Sequence, residues 1–483
     1  MRMVLPPGGW LMPRVPLVLP TRSNPTRHGY EGNARLINAY VETTGADAKN
    51  ERAIYPVTGL DTYLTPTVGK VWAMIPTETR LYGVTRQTVW SVDTSDVVTI
   101  IGTLDLEGPV TMARNRRSTV QVGLVSADNK YYTIENTTMT LNTDPDLQGP
   151  PQAIDVKDGF FIIPTNLNRY FITGEDNATA IAATDFGKAQ RSPDEILRVI
   201  ATETDIALMG ANSIEWHQNS PSTTASFPFV PVANIDLGLA SAQAVTKLDR
   251  LVVWLASDGT VRIMEGYGGQ VISTPAVQRA VGAVTDKSTI RMFAWHSRQI
   301  GHSFVAMTCP QWTWVYDIQE GSWHERRTYG RPDWRCSAAV EWQGRVLVGD
   351  DTTGELFDIG PAYNDEAGEP LVWEVWTAPV DAFPKGAIIH NLTLDVVPGV
   401  GDVTSASAAK RDPKILMSYS DDGGRNWSPE REGSLGVGGA SNARVQWNRL
   451  GLMRRNGRTF RFRCSSSNRT GLLSASIDAE PLA

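Results

Sequence analysis

Clusters of short apolar runs begin near Lys70, Val110, Ala153, Leu197, Ala242, Ile290 and Arg335, at steps of 40 to 48 residues. A repeat of that length made of four short strands is the signature of propeller blades, because one small meander cannot bury its faces without neighbours of its own kind. The first cluster shows the unit, with runs at 71–75, 80–84, 88–92 and 98–101 and Asp93-Thr94-Ser95-Asp96 as a turn. Residues 291–360 repeat it, first as runs at 291–295, 304–307, 313–316 and 323–327, then at 336–341, 345–349 and 355–358. The period predicts an all-β chain whose body is a β-propeller of six to eight blades, seven by count, since strands can be borrowed across the closure. Stacked sandwiches are the alternative architecture. A helix is expected at 275–281, where Pro275 suits a first turn and Ala276, Val277, Ala280 and Val281 recur at helical spacing, as an insertion decorating the disc.

Outside the periodic region the chain reads differently. Residues 1–57 are rich in Pro, Asn, Arg and Gly and contain one strand-like piece at 36–41. So little apolar material marks either disorder or an extended arm laid on another surface, and a strand able to pair at an edge favours the arm. The propeller is assigned to 58–381. From 382 to 483 the runs lengthen, at 387–397, 414–419, 443–453, 458–463 and 472–477, and predict a separate C-terminal β-sandwich.

Charge divides along the same line. The net charge of −7 argues against general affinity for nucleic-acid backbone, but an acidic wall lets a duplex slide past. Between Lys385 and Ala483 stand 14 Lys and Arg against 9 Asp and Glu, leaving 31 against 43 in the remainder. The basic excess gathers at Arg444, Arg449, Arg454, Arg455, Arg458, Arg461 and Arg463. Phe460 and Phe462 alternate with the last two, so one face of that strand buries rings while the other presents guanidinium groups. These seven arginines are either a solvated face or the interface to an acidic neighbouring subunit. Cys309, Cys336 and Cys464 are far apart and odd in number, which fits synthesis in a reducing compartment without a disulfide framework. Five prolines interrupt the first twenty residues, so neither a signal peptide nor a membrane span is expected.

Searches for chemistry point to structure. Ser420, Asp422, Gly424 and Trp427 fit the Ser-x-Asp-x-Gly-x-x-Trp pattern of an Asp-box as seen in sialidases, in which the aspartate caps turn amides and the indole packs beneath. It occurs once, outside the periodic region, and no spacing nominates the three arginines and Tyr/Glu pair that a sialidase needs. The six histidines form no zinc-like spacing, and His296 and His302, flanking one turn, are expected to be separately satisfied rather than a ligand pair. Asp350, Asp351 and Glu355 crowd one loop whose carboxylates suit turn capping better than a cation. No catalytic, cofactor or metal residues are expected.

Taken in order, Met209-Gly210-Ala211-Asn212-Ser213-Ile214-Glu215-Trp216, Asn234-Ile235-Asp236-Leu237-Gly238, Ile272-Ser273-Thr274-Pro275-Ala276-Val277 and Thr313-Trp314-Val315-Tyr316-Asp317 resemble one family. Trp323-His324-Glu325-Arg326, Val445-Gln446-Trp447-Asn448-Arg449-Leu450-Gly451 and Arg454-Arg455 continue the likeness. The chain resembles the tail nozzle, or packaged-DNA-stabilisation, proteins of short-tailed bacteriophages. That resemblance implies a virion tail protein in a six-subunit ring below the portal adaptor ring, around a channel for double-stranded DNA. It also implies attachment of fibres, spikes or a needle, without enzymatic activity. A carbohydrate-active, sialidase-like propeller and a generic propeller scaffold are the alternatives, separable by turnover of sialosides and by a stable monomer.

Overall fold

A computed structural model describes residues 14–45, 47–189, 191, 194–220, 229–440 and 444–482. Residues 1–13 of the expected arm, and Ala443 at the head of an expected strand, lie outside that set.

Seven antiparallel meanders follow one another. The first comprises Val71–Pro76, Arg80–Thr85, Thr88–Asp93 and Val98–Thr103, and the next five run over 111–141, 155–188, 196–235, 245–271 and 291–325. The seventh has three strands of its own, Cys336–Trp342, Arg345–Asp350 and Leu356–Gly360, and its fourth is Gly59–Leu64, from before the first blade. Second strands such as Gln121–Val125, Asp205–Gly210 and His302–Cys309 are buried along their whole length, because each is covered on both faces by neighbouring blades. Glycine makes some of that closeness possible: a Cβ on Gly83 would stand 2.2 Å from the Trp90 ring that lies across it.

The cores are shared between adjacent blades. Tyr82 and Val84 pack with Val122 and Leu124 between the first two, and the pattern continues around to Phe293 and Phe304 against Val348 and Phe357 between the last two. Val71 and Trp90 then meet Leu347 and Leu356, which closes the circle. Leu60, fully buried in the borrowed strand, pairs opposite Ile359 and packs into the core between the sixth and seventh blades. The expected helix is Pro275–Ala283, capped by Thr274, but it does not decorate the disc: Ala276, Val277 and Val281 sit inside the core between the fifth and sixth blades. Its apolar stripe is wide enough to need burial on the blades themselves.

The N-terminal arm is woven into the sandwich. The expected single strand at 36–41 is two strands, Asn33–Ile37 and Ala39–Thr43, broken where Asn38 adopts φ 51°. The break sends the halves into different sheets. Ala39–Thr43 and Arg52–Pro56 extend the sheet of Val445–Met453, Ala387–Val396 and Leu472–Pro481, on which Arg14–Leu17 also pairs. Asn33–Ile37 joins the other sheet, in which Trp373–Trp376, Thr459–Cys464, Lys414–Ser420 and Arg431–Ser434 follow in order. Leu36, Val41 and Ile54 of the arm share one core with Val375, Leu392, Trp447, Phe460, Phe462 and Ile477.

Candidate functional site

The same arm strand also touches the propeller, so one sheet runs from the sixth blade into the sandwich. Ile37 stands opposite Glu325 in parallel register, and the Asn38 amide donates to the Glu325 carbonyl at 2.8 Å. Asn38 Nδ2 donates to the carbonyls of Arg327 and Val372, both at 2.8 Å, while its Oδ1 accepts the Arg327 amide at 2.8 Å. Ser23 adds a second stitch, with its amide on the Trp323 carbonyl and its hydroxyl accepting the Leu36 amide at 2.7 Å. Asparagine is one of the few side chains that tolerates positive φ and satisfies several backbone groups at once, which is why it occupies the break.

Along one face of this continuous sheet charges alternate. Glu325 of the sixth blade accepts from Arg35 of the arm, at 2.7 Å to Nε, and from Arg327 at 2.9 Å. Arg463 pairs with Glu374 at 3.6 Å and with Glu430 at 3.3 Å, and Arg461 reaches Glu430 at 3.5 Å. Trp376 lies between Arg35, whose guanidinium carbon is 5.1 Å from its ring centre, and Trp427, centred 4.8 Å away, and Arg461 stacks on Trp427 at 4.4 Å. Cation–π contact and carboxylate pairing therefore commit Arg461 and Arg463 within their own chain.

Arg458 departs furthest from an interface role. It is buried, 1% exposed, and grips Asp421 with Nε at 2.6 Å and Nη2 at 2.8 Å. Nη1 donates to the Leu450 carbonyl at 2.7 Å and Nη2 also to Leu452 at 2.8 Å, with the guanidinium stacked 3.8 Å from the Tyr419 ring centre. Sequence spacing could not separate this arginine from its neighbours, because its partner Asp421 lies in a distant hairpin. Only Arg444, Arg449, Arg454 and Arg455 of the seven are exposed. Arg455 borders a shallow groove with Tyr30, Pro379, Asp381 and Phe383, whose exposures of 44% for Tyr30 and 63% for Phe383 leave two aromatic rings uncovered.

The Asp-box turn faces the arm. Asp422 Oδ1 accepts the amides of Arg425 and Asn426 at 3.0 and 2.9 Å and the Ser420 hydroxyl at 2.7 Å, and Gly424 donates its amide to Ser420 Oγ at 2.9 Å. The Asn426 amide and the other donors hold the Asp422 carboxyl down at about 2 despite partial desolvation. A Cβ on Gly29 would meet the Gly423 carbonyl at 1.9 Å, so arm and turn touch backbone to backbone. His296 bonds Ser303 and Asp249, whereas His302 bonds Asp317 at 2.6 Å, so each imidazole has its own partners. Asp350 caps Thr352 and Thr353 and pairs with Arg335 at 2.5 Å. Among the described residues no group of three or more His, Cys, Asp or Glu is placed to hold a metal ion. Nor is any helix among them long and apolar enough to cross a membrane.

Two family models match the chain in succession: "Bacteriophage P22 Gp10, beta-propeller" over residues 55–362 and "Bacteriophage P22 Gp10, beta-sandwich" over 372–480. No curated protein matches it. Similar solved structures include the computationally designed Ika8 protein, at 15% identity over 68% of this chain and 99% of that one, with a TM-score of 0.39. The WD40 beta propeller domain of Doa1 aligns at 13% identity over 62% and 96%, with a TM-score of 0.39. Streptogramin B lyase aligns at 12% identity over 67% and 98%, with a TM-score of 0.43.

Proposed function

Because the chain belongs to the bacteriophage P22 Gp10 family and is a structural protein of a phage tail, we propose that it is one subunit of a ring-shaped nozzle that closes on packaged DNA. The observation that carries this reading is the weld: a closed seven-bladed disc joined to a sandwich through one continuous sheet is a stiff building block with two faces. A ring of such blocks needs heterologous contacts that close on themselves. The sandwich brings exposed Arg444, Arg449, Arg454 and Arg455 with the uncovered rings of Tyr30 and Phe383. Arginine and aromatic side chains are what interface centres are enriched in, and the acidic remainder of a neighbouring copy is the complementary partner.

The chain divides functionally into an arm (1–57), a propeller (58–381) and a sandwich (382–483), with the arm as the fastening rather than a free tail. The Asp-box residues Ser420, Asp422, Gly424 and Trp427 support the surface on which the arm lies. The ring stands below a portal adaptor ring, six copies surround the passage for double-stranded DNA, and fibres, spikes or a needle attach to outer loops. Retention is steric, since an acidic wall binds phosphate weakly. The role requires no enzymatic step, and the protein acts in the virion. Imaging of particles assembled without this chain tests the reading: heads that fill with DNA and then empty are expected, and heads that keep their genome would overturn it.

A further inference from the structure

A separate fastening joins the end of the arm strand to the sixth blade, and it is built on a buried ion pair. His302 begins the second strand of that blade and Asp317 ends the third, and Nδ1 of the one lies 2.6 Å from Oδ2 of the other. Both are buried, Asp317 completely. The imidazole meets the ring of Tyr40, from the arm, at 5.0 Å between centres and 70° between planes, and stacks on Phe304 at 5.8 Å. Asp317 Oδ1 accepts the amides of Gln319 at 3.0 Å and Glu320 at 3.3 Å, which fixes the turn that follows. From that turn Glu320 reaches the arm: Oε1 accepts the Thr43 amide at 2.9 Å and Oε2 the Thr43 hydroxyl at 2.7 Å. One carboxylate shapes the turn that grips the arm, and one imidazole balances that carboxylate.

The other charges around the pair do not replace His302. Among the described residues Asp317 has no other ion-pair partner. Arg469 of the sandwich gives Nη1 to the Pro361 carbonyl at 3.2 Å and Nη2 to the Tyr40 hydroxyl at 3.4 Å, and Arg326 gives Nη2 to the Thr58 carbonyl at 2.7 Å. His296 bonds Asp249 and Arg298 bonds Glu341, both at 2.9 Å. Burial opposes a charge on His302, but the Asp317 hydrogen bond and the fields of Asp317, Glu42 and Glu320 outweigh it and raise the imidazole above its ordinary 6.5. Its neighbours do not titrate with it. Burial pushes His324 down to about 3, with Arg326 and His302 lowering it further, and burial pushes the Tyr40 hydroxyl up to about 12.

An enclosed carboxylate without a counter-charge is strongly unfavourable. Once His302 is neutral, the nearest route to water for Asp317 is through its own turn, whose Gln319 is already exposed. Lifting that turn takes Glu320 off Thr43. Val41, two residues earlier, lies in the sandwich core, so the loosening stops short of the sandwich. We propose that the His302–Asp317 pair is a proton-dependent latch, in which the imidazolium holds the 317–320 turn on Thr43 and its deprotonation frees the end of the arm strand from the sixth blade. Because the folded imidazole titrates above its unfolded value, the latch is complete below about 6.5 and is lost as pH rises through the folded value.

The test is hydrogen exchange of the full chain at about pH 6 and about pH 9, corrected for the intrinsic base-catalysed rate, beside an imidazole titration followed by NMR. A several-fold loss of protection at the amides of Thr43, Gln319 and Glu320 is expected at the higher pH, with Val41 unchanged. The His302 resonance, identified by its absence in His302→Gln, should titrate above 6.5 and with the same midpoint as the loss. His302→Gln keeps a donor for Asp317 but carries no charge, so its three amides should show the alkaline level of protection at both pH values. Asp317→Asn has no buried charge to balance and should lose the pH dependence as well. An equal loss in the parent and in His302→Gln overturns the proposal. So does flat protection in the parent, and that result does not depend on whether either variant folds.

Discussion

The propeller and the sandwich are made of similar strands, but they differ in where each strand finds its partner. Within a blade, neighbours in the sheet are neighbours in the chain, and the exception is Gly59–Leu64 closing the seventh. In the sandwich, Arg14–Leu17 pairs with Leu472–Pro481, and Asn33–Ile37 lies between strands from residues 322–325 and 373–376. Local pairings form early and independently, whereas distant ones carry a loop-closure cost that only the finished core offsets. The difference makes the propeller a self-sufficient unit and the sandwich a dependent one.

The strongest way to break that comparison is to delete residues 14–57. The loss removes Leu17, Leu36, Val41 and Ile54 from the sandwich core, so the sandwich should unfold while the propeller, which keeps Gly59–Leu64, survives. Limited proteolysis should then leave a stable fragment ending near residue 371, and a protected sandwich would refute the dependence. Arg458→Ala comes next, with a cost of about 3 kcal/mol in denaturant unfolding, because it strips partners from Asp421 and from two strand carbonyls. Arg458→Lys should not restore it, since one ammonium cannot reproduce the fork.

Leu60→Ala probes the distant pairing that completes the seventh blade. A cavity beside Ile359 and Phe357 should cost about 2 to 3 kcal/mol and speed hydrogen exchange in the sixth and seventh blades before the others. The smallest effect is expected from Asp422→Asn, about 1 kcal/mol from weakened turn hydrogen bonds. The folded Asp422 carboxyl titrates at about 2, below its unfolded value, so its contribution is complete above the unfolded value and lost as pH falls toward 2. The variant should therefore be less stable by that amount near neutrality and show a flatter acid limb in a stability-against-pH series, the two curves converging as pH falls toward 2.

The same contrast governs what the sequence displays. The period in the forties needs only local turns and alternation, and every blade begins within three residues of where the spacing places it, from Val71 to Cys336. The closing strand was legible only as an absence, three runs in the seventh cluster where four are needed. Asn38 was hidden because Leu36, Ile37, Ala39, Tyr40 and Val41 read as one apolar run, and nothing local reports that the two halves enter different sheets. Trp373–Trp376 alternates as a strand should, yet its place beside Thr459–Cys464 depends on residues almost a hundred positions away. Of the arginine cluster, the alternation of Phe460 and Phe462 with Arg461 and Arg463 was readable. The enclosure of Arg458 was not, because burial of a charge depends on a partner that proximity in sequence does not reveal.

Hydrogen exchange of the full chain over residues 33–43 tests the weld most directly. The amides of Leu36 and Val41 are predicted to exchange only together with those of Ala387–Val396, at the rate of the sandwich's own unfolding. Rapid exchange of that arm segment beside a still-protected sandwich would contradict the account.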